Sequence, residues 1–416
     1  PPRPLRCSFV VRLKGKAKER SPTQIEYEMR WVNRSIEDVC VIVSGSTPSR
    51  KNEEYWSGSD VPWFTVKDVR QQGHEIQWTK ESVSKNALER SAINMVPSGT
   101  VLVCCTASIG EYALAQIPLT FNQQFNGLVP KGEVNPRYLM HWASTIRGKL
   151  LEMSGKATVD FVSQSKLKSL SIPLPPLEEQ KRIAGILDEA DRVRKKTQAL
   201  IDKYDELAQS LFLDMFGDPV TNPKGWEMKA LGDITDVRDG THDSPKYVDQ
   251  GFPLITSKNL RGGKIDFGSV GLISPEDFEH VNKRSKVDEG DILMPMIGTI
   301  GGPVIIMKEQ PFAIKNVALF KTGGMSDFVV FLHALLDSHF LDWYSSRQNQ
   351  GGIQKFLSLN SLRGMMVPVP PVSLMCKFRT ELAALNGQKQ SVHIALDSTK
   401  SLFEALLQKA FKGELT

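Results

Sequence analysis

The chain has 416 residues, 40% of them hydrophobic and 24% charged, with a formal net charge of +5. That length permits two or three domains with sizeable cores, and the composition is globular rather than disordered. The mild positive excess permits a nucleic-acid partner without requiring one, because local clustering of charge matters more than the total.

In chain order, the first 28 residues are basic and proline-flanked, and they lack the apolar stretch of a secretory signal. They are expected to be an extension outside the fold. A first globular part is expected over 29–172, a helix over 173–217, a second globular part over 218–367 and a second helix over 368–416. The reason is a repeat. WVNRSIEDV from Trp31 returns as WEMKALGDI from Trp226, an offset of 195 (226 − 31). VPWFTVKDVR (61–70) returns as FPLITSKNLR (252–261), and VPSGTVLVCCTASIG (96–110) as VDEGDILMPMIGTIG (287–301), both offset by 191. FNQQFNGLV from Phe121 is set against FAIKNVALF from Phe312 at that same offset, and FVSQSKLKSLSIPLPP (161–176) matches FLSLNSLRGMMVPVPP (356–371) at 195. Five blocks in one order mean two copies of one unit.

Within each globular part, short apolar runs behind a glycine predict buried strands: GTVLVCCTA and GDILMPMI, then GGPVIIM and FAIKNVALF. Helices are expected at 136–151 and 325–346. Each unit then closes on prolines, and a long charged helix follows. Ile183, Ile186, Ala190, Val193, Thr197, Leu200, Tyr204, Leu207 and Leu211 follow the alternating spacing of a coiled-coil seam. Phe378, Leu382, Leu385, Lys389, Val392, Leu396, Thr399, Phe403, Leu406 and Ala410 do the same. Each helix would run about 60 Å at about 1.5 Å per residue. A helix with one apolar stripe needs a partner, and each copy supplies one, in antiparallel sense. The expected fold class is therefore α+β: two strand-rich globular domains in tandem pseudo-repeat, separated by two long helices forming an antiparallel coiled coil. The alternative is that each helix packs on its own domain.

Catalytic and metal motifs are missing. There is no P-loop, no dinucleotide fingerprint, no H-E-x-x-H and no G-x-S-x-G, and GTIGG at 298–302 is a weak glycine turn. The five cysteines and seven histidines show no ligand spacing. The cysteines read as reduced, packed thiols of a cytosolic protein. FVVFLHALL (328–336) is too short to cross a membrane.

IPLPPLEEQKRIAGILDEAD, from Ile172, resembles the central conserved region of the specificity subunit of type I restriction–modification enzymes. DGTHDSPKYVDQGFPLITSKNL (239–260) resembles the start of that family's second target-recognition domain, and GSTPSR (45–50) its counterpart in the first. The resemblance covers the chain from about Met29 onward. It implies a non-catalytic subunit of a DNA adenine methyltransferase/endonuclease, acting in a prokaryotic cytoplasm. Two domains would each read half of a bipartite double-stranded DNA site, with the helices as spacer. Two modification subunits would dock, and restriction subunits could join them. No cofactor is expected on this chain; S-adenosylmethionine belongs to the modification subunit, and ATP and Mg to a restriction subunit. A coiled-coil scaffold that organises proteins without reading DNA is the competing function.

Major-groove reading favours Arg or Lys on guanine and Asn or Gln on adenine. Lys67, Asp68 and Arg70 face Lys258, Asn259 and Arg261 in the repeat, and Gln123 and Gln124 face Ile314 and Lys315. Thr47 and Ser49 correspond loosely to Thr241, His242 and Ser244. Ser108 and Thr299, each before an Ile-Gly turn, are candidates for backbone phosphates. Glu178, Glu179, Lys181 and Arg182, on the charged face of the first helix, are the candidate surface for the modification subunits.

Overall fold

The structure is a computed structural model that describes residues 31–58, 60–154, 161–298, 300–307, 310–348 and 356–415. The expected extension over 1–28 and the candidate Thr299 lie outside the described residues. The described chain divides into two compact units: residues up to 196 with those from 396 onward, and residues 197–395.

The first unit closes on itself. Its first strand, Val32–Ser35, pairs antiparallel with its last, Ser171–Leu174, Val32 opposite Leu174. Between them a five-stranded sheet runs in the order Cys40–Ser44, Phe125–Pro130, Val101–Cys104, Tyr112–Ala115, Glu75–Ile76. A three-stranded sheet places Val61–Phe64 between Glu81–Val83 and Thr120–Phe121. All four residues of Val101–Cys104 are buried, as an apolar run without alternation requires.

The second unit repeats this plan. Glu227–Ala230 pairs with Met366–Val369, Glu227 opposite Val369, so both ends of the closing ribbon carry the 195-residue offset. A four-stranded sheet runs Asp236–Asp239, Val317–Lys321, Ile292–Pro295, Val304–Ile305. Phe252–Ile255 lies between Gly271–Ile273 and Ala313–Ile314. The pairing corrects one block of the repeat: Phe64 sits opposite Phe121, and its match Ile255 sits opposite Ile314, an offset of 193 rather than 191.

Each helix expected in the globular parts is two. Pro136–Thr145 is followed by Arg147–Met153, and Asp327–Leu336 by His339–Gln348. In the second case Ser338 interrupts the run, its Oγ accepting from the Phe340 N–H at 3.3 Å and starting a new helix.

The long helices span Leu177–Phe216 and Val372–Lys412. In the first unit the start of one meets the end of the other: Ile183 and Leu187 share a core with Phe403, Leu406 and Ala410. In the second unit the end of the first helix meets the start of the second, with Phe216 ring-to-ring 5.1 Å from Phe378. The helices therefore run antiparallel within each unit. Every expected seam position of the second helix is buried or half-buried, Lys389 included, which pairs with Asp205. The first seam differs. Val193, Leu200 and Leu207 are 41%, 43% and 51% exposed. The covered stripe steps by four and then three from Ile183 through Leu187, Ala190, Arg194, Thr197, Ile201, Tyr204 and Ala208. Arg194 can occupy it because its guanidinium is paired with Asp191 at 2.6 Å and lies 5.5 Å from the Phe403 ring centre.

Candidate nucleic-acid interface

In each unit two loops are forced together at the same point. Gly45 donates its N–H to the Phe125 carbonyl at 3.1 Å and Ser46 to that of Phe121 at 3.0 Å. Gly240 donates to Val317 at 3.0 Å and Thr241 to Ile314 at 3.0 Å. No side chain fits at either glycine: a Cβ would stand 2.0 Å from the Asn122 oxygen in one and 2.5 Å from the Ile314 oxygen in the other. Next along, Asn122 donates to Phe64 and Lys315 to Ile255, at 3.2 Å and 2.8 Å. Backbone bonding thus equates Asn122 with Lys315 and Gln123 with Asn316, leaving Gln124 as an extra residue of the first unit. This replaces the expected match of Gln123 and Gln124 with Ile314 and Lys315. Ile314 is a fully buried strand residue.

The side chains follow the backbone. Thr47 donates to the Gln123 side-chain oxygen. At the equivalent place His242 Nδ1 lies 2.9 Å from Asn316 Oδ1. Lys315 Nζ donates to Ser244 Oγ at 2.6 Å, and Thr241 bridges to Lys315. Gln124 is committed locally, its N–H donating to Asn122 Oδ1 at 3.1 Å. Ser49 is exposed in the same loop, its carbonyl accepting from Trp56 Nε1 at 3.1 Å. Ser108 lies in the turn after Cys105, whose N–H donates to the Gln124 carbonyl at 2.8 Å.

A third segment reaches the same neighbourhood. The strands Val61–Phe64 and Phe252–Ile255 end in Thr65 and Thr256, each in a capping box with the residue three later. Asp68 and Asn259 are those residues, and here the structure corrects the sequence. Asp68 is 1% exposed; Oδ2 accepts from Thr65 N at 2.7 Å and Oγ1 at 3.1 Å, and Oδ1 from Lys80 N at 2.8 Å. Asn259 is 3% exposed; Oδ1 accepts from Thr256 N at 3.0 Å and Oγ1 at 2.9 Å. Neither can reach a base. They hold the turn from which Lys67, Arg70, Lys258 and Arg261 project into solvent, Arg261 donating to the Lys258 carbonyl at 2.8 Å.

Sequence reasoning missed the buttress of the first loop. Trp63 Nε1 donates to Ser46 O at 3.3 Å, and the Arg50 guanidinium stacks 3.5 Å from the Trp56 ring centre while pairing with Glu81 at 2.6 Å. Tryptophans flanking a polar loop were the available signal. Asp239 was missed too. It is 4% exposed and binds His242 Nε2 at 2.9 Å together with Arg284.

The four candidates on the first long helix pair among themselves: Lys181 with Glu178 at 2.7 Å and Arg182 with Glu179 at 2.8 Å. Between them Gln180 is fully buried, donating to the carbonyls of Glu133 and Pro175 and accepting from Asn135 N–H at 2.8 Å. Burial pushes the thiols of Cys40 and Cys105 up to about 12 and about 11, and Cys376 is an exposed thiol on a helix. Among the described residues no cluster of histidine, cysteine or carboxylate could hold a metal, and no helix is long and apolar enough to cross a membrane.

Comparison with known proteins gives this duplicated arrangement its context. A family model described as the type I restriction modification DNA specificity domain matches residues 28–203. The specificity subunit of the type I restriction enzyme MjaIX of Methanocaldococcus jannaschii is 28% identical, the alignment covering 92% of this chain and 93% of that one. Over nearly its whole length the chain is similar to type I restriction–modification specificity subunits. The EcoBI specificity subunit of Escherichia coli is 24% identical over 93% of this chain and 86% of its own. A chain solved in a study of complex assembly and conformational transition of the type I R-M system shares the fold, with a TM-score of 0.60, 17% identity and coverage of 93% of this chain and 99% of that one. As a specificity subunit this protein is the non-catalytic component, and a scaffold that never touches DNA is not supported.

Proposed function

We propose that the loop clusters around Gly45 and Gly240 are two DNA-reading faces, each taking one half of a bipartite duplex site. Thr47, Ser49, Lys67, Arg70, Gln123 and Ser108 serve the first half; Thr241, Ser244, Lys258, Arg261 and Lys315 serve the second. The single observation that carries this reading is the repetition itself. The same backbone hydrogen bonds build both clusters, while the exposed side chains differ, as reading two different sequences demands. The globular parts 29–172 and 218–367 are the readers, and the helical regions 173–217 and 368–416 set an unread gap between them.

Two adenine methyltransferase subunits dock on this chain, with the Glu178, Glu179, Lys181 and Arg182 face as their contact. Adenine must leave the duplex to be methylated, so the reader fixes where that happens. S-adenosylmethionine sits in those subunits; restriction subunits, where they join, bring ATP and Mg. The complex works where a prokaryote keeps its DNA, in the cytoplasm.

Equilibrium selection from a random duplex pool, using this chain complexed with its methyltransferase subunits, tests the reading. Two short enriched blocks at a constant separation are expected. A pool with no enriched block refutes it.

A further inference from the structure

We propose that Asn316 is the residue with which the second unit contacts DNA at its loop junction, and that His242 and Asp239 are positioning residues that decide which end of its amide faces outward. This rests on the DNA-reading function proposed above and identifies a contact that the repeat pattern alone had placed elsewhere.

Asn316 is fixed at its root. Its φ of 55° lies in the left-handed region that asparagine tolerates. Its N–H donates to the Thr241 carbonyl at 3.2 Å, and its own carbonyl accepts from Ser257 Oγ at 3.4 Å. With the backbone held, the side chain keeps its two torsions, and the last of them decides which end of the amide faces outward. His242 Nδ1, 2.9 Å away, governs that rotation.

The imidazole is itself held from behind. Its Nε2 is 2.9 Å from a carboxylate oxygen of buried Asp239, which also takes Arg284. A carboxylate that already takes Arg284 is an acceptor, so Nε2 is the ring nitrogen placed to donate. The state of Nδ1 then selects the amide orientation. When Nδ1 is protonated it donates to Oδ1, and the two amide N–H bonds turn outward. When it is neutral it accepts from Nδ2, and the carbonyl turns outward. A donor suits guanine N7 and O6 or a phosphate; an acceptor suits the amino groups of adenine and cytosine.

The charged groups around the ring come from three elements: Asp239 from its own strand, Arg284 from the helix Pro275–Ser285, and Lys315 from the facing turn, with Nζ 2.6 Å from Ser244. In the first unit the equivalent amide is Gln123, held by the Thr47 hydroxyl. A hydroxyl can donate or accept without titrating. The two readers thus differ in kind: an imidazole faces the amide in the second and a hydroxyl faces it in the first.

The test is selection from a random duplex pool with the methyltransferase-bound complex. Asn316→Gly keeps the left-handed turn, so the unit folds; it loses about tenfold at one block, the size of one good amide contact, while the other block stays constant. His242→Ala removes the group that orients the amide and relaxes base preference at that same block alone; an unchanged preference there shows that the ring positions nothing. Two enriched blocks that Asn316→Gly leaves unchanged overturn this assignment alone. Equal losses at both blocks overturn it as well. A pool without any enriched block overturns the DNA-reading function, and this assignment with it.

Discussion

Gln180 offers a sharp test of how the first unit is tied to its long helix. Its amide sits fully buried at the start of Leu177–Phe216 and makes three hydrogen bonds to main chain, at 2.8–2.9 Å, with Glu133, Asn135 and Pro175. Asn135 in turn caps the helix Pro136–Thr145 through its side chain. The repeat puts Met375 at this position in the second unit, buried in an apolar core. Gln180→Met keeps the volume and deletes the bonds, leaving the Pro175 carbonyl buried without its partner and the Asn135 N–H and Glu133 carbonyl part-buried without theirs. The buried carbonyl costs about 1–3 kcal/mol, and the part-buried groups, which water can reach, cost less. At about 2–4 °C per kcal/mol for a unit of this size, its unfolding should move down by at least about 2 °C and by up to about 12 °C. Calorimetry of the full chain measures this, with hydrogen exchange assigning the transition, since two units need not unfold together. A shift below about 2 °C would mean the amide holds nothing, and the reasoning fails.

Lys258→Ala with Arg261→Ala should weaken one half-site and lower the salt dependence of binding by about one counterion per residue; equal weakening of both halves would argue for nonspecific contact. Asp68→Asn should destabilise the first unit by about 1–3 kcal/mol, although Asn259 occupies the matching place. The difference is the neighbour: Lys80 N–H faces Asp68, whereas the Asp266 carbonyl faces Asn259. Urea titration would show it, and no change would contradict it. The second unit should also be acid-sensitive through Asp288. Its hydrogen bond from Lys321, then that from Lys286, holds the carboxyl below its ordinary 3.8. This contribution is complete above pH 3.8 and is lost as pH falls through the lower folded value, so Lys321→Met should flatten the acid limb of stability. An unchanged acid limb would show the pair to be too solvated to matter.

Much of the fold was legible because burial imposes pattern. The strands Val101–Cys104 and Ile292–Pro295 are apolar throughout, so they could be matched by eye. The seam of the second helix was legible because polar residues flank its apolar ones. The first helix was not, because Val193, Leu200 and Leu207 are as apolar as the residues that displaced them, and because paired Arg194 could enter the stripe. Asp68 and Asn259 were misread for a different reason. A capping carboxylate or amide has the same letters as a surface one, and only its partners distinguish them. Asn316 was hidden by a single inserted residue, Gln124, which a repeat alignment without backbone hydrogen bonds had no means to place.

The central claim is that the paired helices set the separation of two DNA readers. Inserting one heptad between residues 196 and 197 and another between 395 and 396 adds about 10 Å to each helix at about 1.5 Å per residue. At about 3.4 Å per base pair that is about three base pairs. Selection on random duplexes with the complex should then return the same two blocks with a gap about three base pairs longer. The same blocks at an unchanged gap would contradict the claim.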